Sequence, residues 1–419
     1  MPISRRNFLK SAGVAGIVGL GQQLFPSWMP RMAFAQDDRT DRDVLVVIFQ
    51  RGGMDGLNAI IPYAEGSLYY DKRPTIAIAE PNGSDSSIID LNGFFGLHPA
   101  LRPLKDIYDA NALTIIHGAG SPNPSRSHFD AIEYMERGIP GDKITGTGWI
   151  TRHLTSAPWQ NDSPFRAVGM GTLVPASFRG TASTLALRSI ADFHLAGRQD
   201  QLVGIRKTLS SLYSIQQPTD LLSNQAAGIF NTIDLLAQLS ATEYIPSKDV
   251  VYPETEFGMG LRQVAQLIKA GVGLEVAAVD IGGWDTHDDQ GGTDGQFAGL
   301  LDELAQGLAA FYFDLEGYMQ DVTVVSMSEF GRTASENASG GTDHGRASAM
   351  FVMGGGASGG VHANWNGLSD SALDEGDLAV TTDYRDILSE ILTKRVNNSA
   401  LDQIFPGYTP NMPGIINSR

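Results

Sequence analysis

The sequence predicts an α/β fold, a mostly parallel central sheet with helices on both faces. Three observations carry this. Val44–Phe49 (VLVVIF), Leu274–Ile281 (LEVAAVDI) and Val322–Met327 (VTVVSM) are nearly unbroken apolar, β-branched runs, the pattern of strands buried on both faces. Segments with helical spacing lie between them, at Met259–Ala270 and from about Phe297 to Met319. Each apolar run ends in glycines or a polar loop, so strand, loop and helix alternate as in a parallel sheet.

The chain opens with Ser4-Arg5-Arg6-Asn7-Phe8-Leu9-Lys10, which matches the twin-arginine export consensus. A glycine-rich, mildly apolar stretch follows to about Leu24, and Ala33-Phe34-Ala35 supplies a small-x-small cleavage site. Residues 1–35 are therefore expected to be a signal peptide cleaved after Ala35. The mature protein is expected in the periplasm, or otherwise exported by that route, as one domain over 43–419. The apolar part of the leader is too short and glycine-rich for a stable membrane span.

The next elements follow in order. Val44–Phe49 runs into Gln50-Arg51-Gly52-Gly53-Met54-Asp55, a glycine-rich loop at a strand end, where open α/β sheets place ligand groups. The glycines also read simply as a tight turn. His98–Asn111 has helical spacing, Leu113–Ile116 is a second short strand, and prolines 122 and 124 forbid helix before about Ser125. Ser125 or Ser127 then caps a helix through Arg137. A serine at a helix N-terminus faces unpaired N–H groups and can serve as a nucleophile, although serine is also the commonest N-cap and capping alone is the stronger reading. Residues 141–254 differ in texture, with helical patterns at Leu202–Leu212 and Ala226–Leu239, and read as a largely helical insertion or cap. His153 and His194, isolated within it, read as structural histidines. Beyond Val322–Met327 come Ala349–Met353, another strand, a mobile or turning glycine-rich loop at Gly354–Gly360, and a helix starting at Thr382 or Asp383.

The 419 residues carry a formal charge of -17 and show no basic patch, which argues against nucleic acid as a partner. With no cysteine, disulfides, zinc–thiolate sites, Fe–S clusters and cysteine nucleophiles are excluded together. An acidic protein can still take an anionic substrate when a cation reverses the local field. Gly282-Gly283-Trp284-Asp285-Thr286-His287 supplies the residues for such a cation. A strand delivers the chain to a sheet edge, two glycines allow a sharp turn, and a carboxylate and an imidazole follow two residues apart.

The phrases RGGMDGLN, PSRSHFDA, DIGGWDTH, SEFGRT and TDHGRA are spread from the first strand to beyond His344. On these the chain resembles the alkaline phosphatase and sulfatase superfamily, and within it a group of twin-arginine-exported bacterial proteins of unknown function. The resemblance implies an alkaline phosphatase-like sheet, one divalent metal, zinc foremost, on Asp285, His287 and His344, and hydrolysis of phosphate or sulfate esters. It implies a second ion less completely, because Phe330 stands where a ligating histidine is usual. That second site is absent, rebuilt with His128 or Asp343, or suited to Mn or Ca through Asp55 and Glu329. Ser127 is the first candidate nucleophile, with Ser121 and Ser125 behind it. Arg51, Arg126 and Arg346 are candidate clamps for a tetrahedral oxyanion, or surface ion pairs. The expected partner is a small anionic ester; the alternative is a non-catalytic binding or assembly protein that meets another exported protein.

Overall fold

The computed structural model describes residues 42–419 apart from 160, 162, 172–173, 181, 183, 191–235, 237–238 and 240–242. The signal peptide expected over 1–35, His194 and nearly all of the helical stretches expected at 202–212 and 226–239 lie outside the described residues.

The first strand, β1 (Val44–Gln50), is buried at every position. Three short strands, β2 (Ile60–Ile61), β3 (Ile89–Asp90) and β4 (Gly96–Leu97), form a small antiparallel sheet beside it in the chain. The main sheet adds β5 (Leu113–Gly120), β6 (Ala167–Met170), β7 (Leu185–Leu187), β8 (Val276–Ile281), β9 (Val322–Met327), β10 (Ser348–Gly354), β11 (Val361–Ala363) and β12 (Thr382–Asp383). Its order is β11-β5-β10-β9-β1-β8-β6-β7, with β12 also against β5. Every pairing is parallel except those of β10, which runs against both β9 and β5. The sheet is thus mixed and mostly parallel, as its apolar runs predict.

Alternation along β1 explains why both faces are covered. Val44, Val46 and Ile48 belong to one core, Leu45, Val47 and Phe49 to the other. The first core is closed by helices Glu256–Ala270 and Gln296–Asp314, which contribute Leu261, Val264, Leu301 and Leu308. The second is closed by Trp149–Ser156 and Tyr384–Lys394, which contribute Ile150, Leu154, Ile387 and Ile391. Truncating fully buried Ile48 to alanine is expected to cost about 2–5 kcal/mol.

Some boundaries differ from expectation for identifiable reasons. Helical spacing over 98–111 becomes a 3-10 segment, Pro99–Leu104, followed by a short α-helix, Lys105–Asp109, because Pro103 supplies no N–H. Helix Glu256–Ala270 starts three residues before Met259, where the Thr255 hydroxyl accepts from Gly258 N at 3.1 Å. Helix Gln296–Asp314 stops short of Met319. Within 141–254, β6 and β7 extend the main sheet, parallel to β8 and to each other, so this stretch supplies part of the sheet as well as helix Trp149–Ser156. His153 there is fully buried beside Asn398, and burial pushes it down to about 4, a neutral core histidine.

Candidate metal centre

Topology gathers the polar loops at one edge of the sheet. β1, β5, β8 and β9 end there, and the reversed β10 begins there. Residues that follow the first four strands therefore meet residues that precede the fifth. His128 follows β5, Asp285 and His287 follow β8, Glu329 follows β9, and Asp343 and His344 precede β10. His344 comes from the start of a reversed strand, and not from a strand end as its position behind a loop suggests.

Four donor atoms converge at this edge. His344 Nε2 lies 3.0 Å from His128 Nε2 and 2.9 Å from His287 Nε2. Asp285 Oδ1 lies 3.3 Å from His128 Nε2, 3.2 Å from His287 Nε2 and 3.1 Å from His344 Nε2. His128, Asp285 and His344 form a group able to hold a metal ion, and His287 Nε2 stands against two of its members, His344 and Asp285. A tetrahedral zinc site with bonds of about 2.0–2.1 Å has edges of about 3.3–3.4 Å, so His128, Asp285 and His344, whose donor atoms lie 3.0–3.3 Å apart, accept one ion by relaxing a few tenths of an ångström.

The far side of each ring fixes its tautomer. His128 Nδ1 is 2.7 Å from the Glu329 carboxylate, His287 Nδ1 is 3.0 Å from the Asp343 carboxylate, and His344 Nδ1 is 2.7 Å from the Arg126 carbonyl. Each partner can only accept, so each Nδ1 must carry a proton and donate it. Neutral rings then present three bare Nε2 lone pairs to one another and to an ionised carboxylate. Lone pairs as close as those of His128, His344 and Asp285 repel unless a proton or a metal cation stands between them. Histidines backed by carboxylates or carbonyls are also the usual outer shell of a metal site.

Arg332 holds the loops that carry these groups. It is fully buried and donates to the carbonyls of Gly52, Gly53, Trp284 and Thr342, and to Asp285 Oδ1 at 2.7 Å. Burial works to raise the Asp285 pKa, but the Arg332 guanidinium and the His344 contact hold that carboxyl at about 2. The hydrogen bond to Glu329 raises His128 above the ordinary histidine value against the effect of burial, whereas burial lowers His344. Glu329 is itself buried and also accepts from Gly52 N at 2.8 Å. Gly52 has to be glycine: its φ is +123°, and an added Cβ would stand 2.6 Å from Asp285 N.

The remaining expected site residues stand as follows. Asp55 is 1% exposed and saturated by Arg73 at 2.5 and 3.0 Å, Gln290 at 2.7 Å and the N–H groups of Leu57 and Asn58. Glu329 and Asp343 sit behind histidines. Arg51 is held between Glu136 and Asp280, each at 2.7 Å, Arg126 pairs with buried Asp377 at 2.5 Å, and Arg346 pairs with Asp374 at 2.8 Å. Ser127 is exposed at the N-cap of helix His128–Arg137, and its side chain makes no capping bond. Ser121 is buried and accepts from Asn123 N, while Ser125 accepts from Ser127 N. Phe330 packs its ring 4.8 Å from that of His128 and 4.9 Å from that of His344. Sequence reasoning missed Arg332, whose only signal was its place in SEFGRT, and placed His128 away from the Asp285 set.

The family described as "Protein of unknown function (DUF1501)" matches residues 114–397, about two thirds of the chain. The chain belongs to that family. No curated protein matches it. Solved structures similar to this DUF1501 chain include a protein in the alkaline phosphatase superfamily from Vibrio parahaemolyticus, at 10% identity and a TM-score of 0.36, covering 78% of this chain. The chain spans 64% of the length of that protein. A phosphoglycerol transferase from Streptococcus pyogenes, in complex with sn-glycerol-1-phosphate, matches at 11% identity and a TM-score of 0.34, covering 96% of this chain and 88% of its own. A sulfatase from Pseudoalteromonas sp. matches at 12% identity and a TM-score of 0.35, covering 84% and 67%. At such identities the chemistry must come from the residues of this chain. Among the described residues no helix is long and apolar enough to cross a membrane.

Proposed function

We propose that the protein is an exported, metal-dependent hydrolase of phosphate or sulfate esters. The observation that supports this is the convergence of His128 and His344 Nε2 with Asp285 Oδ1, a group able to hold a metal ion, with His287 Nε2 against two of its members. Imidazole nitrogens joined by a single carboxylate favour zinc. The harder oxygen donors considered for a second Mn or Ca ion, Asp55, Glu329 and Asp343, are each engaged elsewhere, so one ion per chain is proposed. A divalent cation held by His128, Asp285 and His344, with His287 beside them, would supply Lewis-acid polarisation of the ester oxygen.

The chain's own groups do the rest. Glu329, Asp343 and the Arg126 carbonyl keep each imidazole oriented with Nε2 free. Arg332 keeps Asp285 ionised and in place. Phe330 shields one side of the His128 and His344 rings from water. Ser127, exposed next to His128 in the chain and free of a capping bond, is the attacking hydroxyl. Side-chain exposures of 46% for Asp285 and 37% for His287 leave the centre open to a substrate from outside.

A second reading, a non-catalytic binding or assembly protein that meets another exported protein, has its own support. Arg51, Arg126 and Arg346 are all paired with carboxylates, and an oxyanion would have to displace those partners. Metal analysis of the purified mature protein, with turnover of 4-nitrophenyl phosphate and 4-nitrophenyl sulfate, separates the two. One zinc per chain with turnover that Ser127→Ala removes is the expected result. Metal without turnover transfers the site to the binding reading, and wild-type protein with no stoichiometric metal sinks both.

A further inference from the structure

An open cleft of about 560 Å³ lies beside the metal centre, within the ~300–1,000 Å³ of small-ligand sites. One wall is the 68–74 segment, with Leu68, Asp71, Lys72 and Pro74; the other is the loop through Ser335 and Ala338. The walls are tied together rather than merely adjacent. Glu336 N donates to the Lys72 carbonyl at 2.9 Å, and the Glu336 carboxylate accepts from Thr75 and Ile76. Arg73, buried and paired with Asp55, donates to the carbonyls of Thr333 and Ala334 at 3.0 Å. The cleft is therefore preformed.

The same loop joins the cleft to the metal centre. At one end Arg332 bonds Asp285. At the other, Asn337, which lines the cleft, donates to the His287 carbonyl at 2.9 Å and to Asp343 at 3.1 Å. A molecule resting on Ser335–Ala338 is thus one side chain from the groups that hold His287.

The lining states what it would accept. Among the described residues the Asp71 carboxylate and the Ser335 hydroxyl have no hydrogen-bond or ion-pair partner, and both are exposed. Lys72 already pairs with Asp370 at 3.0 Å, and the Glu336 charge is satisfied. An anion finds no free cation here, and a large aromatic finds no aromatic wall. A hydroxylated ring finds a carboxylate and a hydroxyl for its O–H groups, and Leu68, Pro74 and Ala338 for its C–H faces. We infer that the cleft is a carbohydrate subsite, binding the neutral, polyhydroxylated part of an ester whose phosphate or sulfate group reaches the metal centre. The role of the cleft in turnover rests on the hydrolase reading; its occupancy by sugar does not.

The test is saturation-transfer NMR on the zinc-loaded mature protein with a panel of neutral methyl glycosides (glucoside, galactoside, mannoside, xyloside and N-acetylglucosaminide), with ATP and 4-nitrophenol as contrasts. Saturation transfer to at least one glycoside is expected, abolished by Ala338→Trp, which fills the cleft, and reduced several-fold by Asp71→Ala. Far-UV circular dichroism and the thermal midpoint, unchanged in both variants, report that the fold is intact. No glycoside bound by wild type, or equal transfer in wild type and Ala338→Trp, overturns the subsite. Turnover of 4-nitrophenyl esters on the same wild-type sample separates the two ideas. Turnover without sugar binding removes the subsite alone, and sugar binding without turnover removes the hydrolase alone.

Discussion

His128 and His344, 216 residues apart in the chain, meet Nε2 to Nε2 at 3.0 Å with both Nδ1 atoms committed to acceptors on the far side. Neither nitrogen of the neutral pair has a proton to offer the other, and this closeness supports the proposed cation between them.

Removing that cation should loosen the edge of the sheet. Dialysis against a chelator is expected to lower the thermal midpoint, and adding zinc to restore it, since a ligand that binds only the folded state at 100 times its Kd stabilises by about 2.7 kcal/mol. His344→Ala should abolish the zinc response. A midpoint indifferent to chelator and zinc would argue against the site.

The carboxylates behind the rings should matter nearly as much as the ligands. Glu329→Gln and Asp343→Asn are each expected to weaken zinc binding about 10–100-fold while leaving the stoichiometry at one. Competition with a chromophoric chelator measures this. Wild-type affinity in both variants would show that these carboxylates do not orient the rings.

Asp55 provides a contrast, because it offers a carboxylate near the same edge yet faces buried Arg73. Asp55→Asn strands that guanidinium and is expected to cost about 3–5 kcal/mol in urea unfolding without changing zinc content in the folded protein. Loss of zinc from folded Asp55→Asn would return Asp55 to the ligand set.

Arg332 should be more demanding still. Arg332→Met leaves the Gly52, Gly53 and Thr342 carbonyls without their donor, at about 1–3 kcal/mol for each group left buried and unsatisfied, and it removes the guanidinium from Asp285; the full cost is not additive. Reduced yield of folded protein and lost zinc are expected together. Arg332→Lys, which keeps the charge but not the fork, should recover part of the stability and little of the zinc.

Acidity should act in opposite senses on the metal-free and metal-loaded protein. His128 titrates above its unfolded value of about 6.5, so its charged form contributes stability that is complete below that pH and fades as pH rises through the raised value. Zinc requires neutral rings, so its affinity should increase over the same rise. Asp285, held at about 2, stays ionised throughout and adds no titration near neutrality. Thermal midpoints of both forms between about pH 5.5 and 8 provide the check; parallel curves would contradict the assignment.

Much of the fold was legible because β1, β8 and β9 are buried on both faces, and that condition writes itself into the chain as VLVVIF, VAAVDI and VTVVSM. Asp285 and His287 were legible as a pair because they share one loop. The strand Ala167–Met170 was not, since four residues of mixed character carry too little periodicity to outweigh the helical texture around them. His128 could not be joined to Asp285 from sequence, because their meeting depends on β5 and β8 ending at one edge with β10, β9 and β1 between them.

The sequence alone determined the α/β class, the absence of thiol chemistry, the acidic charge and the residue types available at the sheet edge. Local patterns suffice for these, since burial and turn formation act on neighbours in the chain. Only the tertiary structure decided which carboxylates face histidines and which face arginines. It placed Asp285 among three imidazoles, Glu329 and Asp343 behind two of them, and Asp55 against Arg73. Reversal of β10 is the physical reason His344 enters the set, and no local pattern in the chain specifies the direction of that strand.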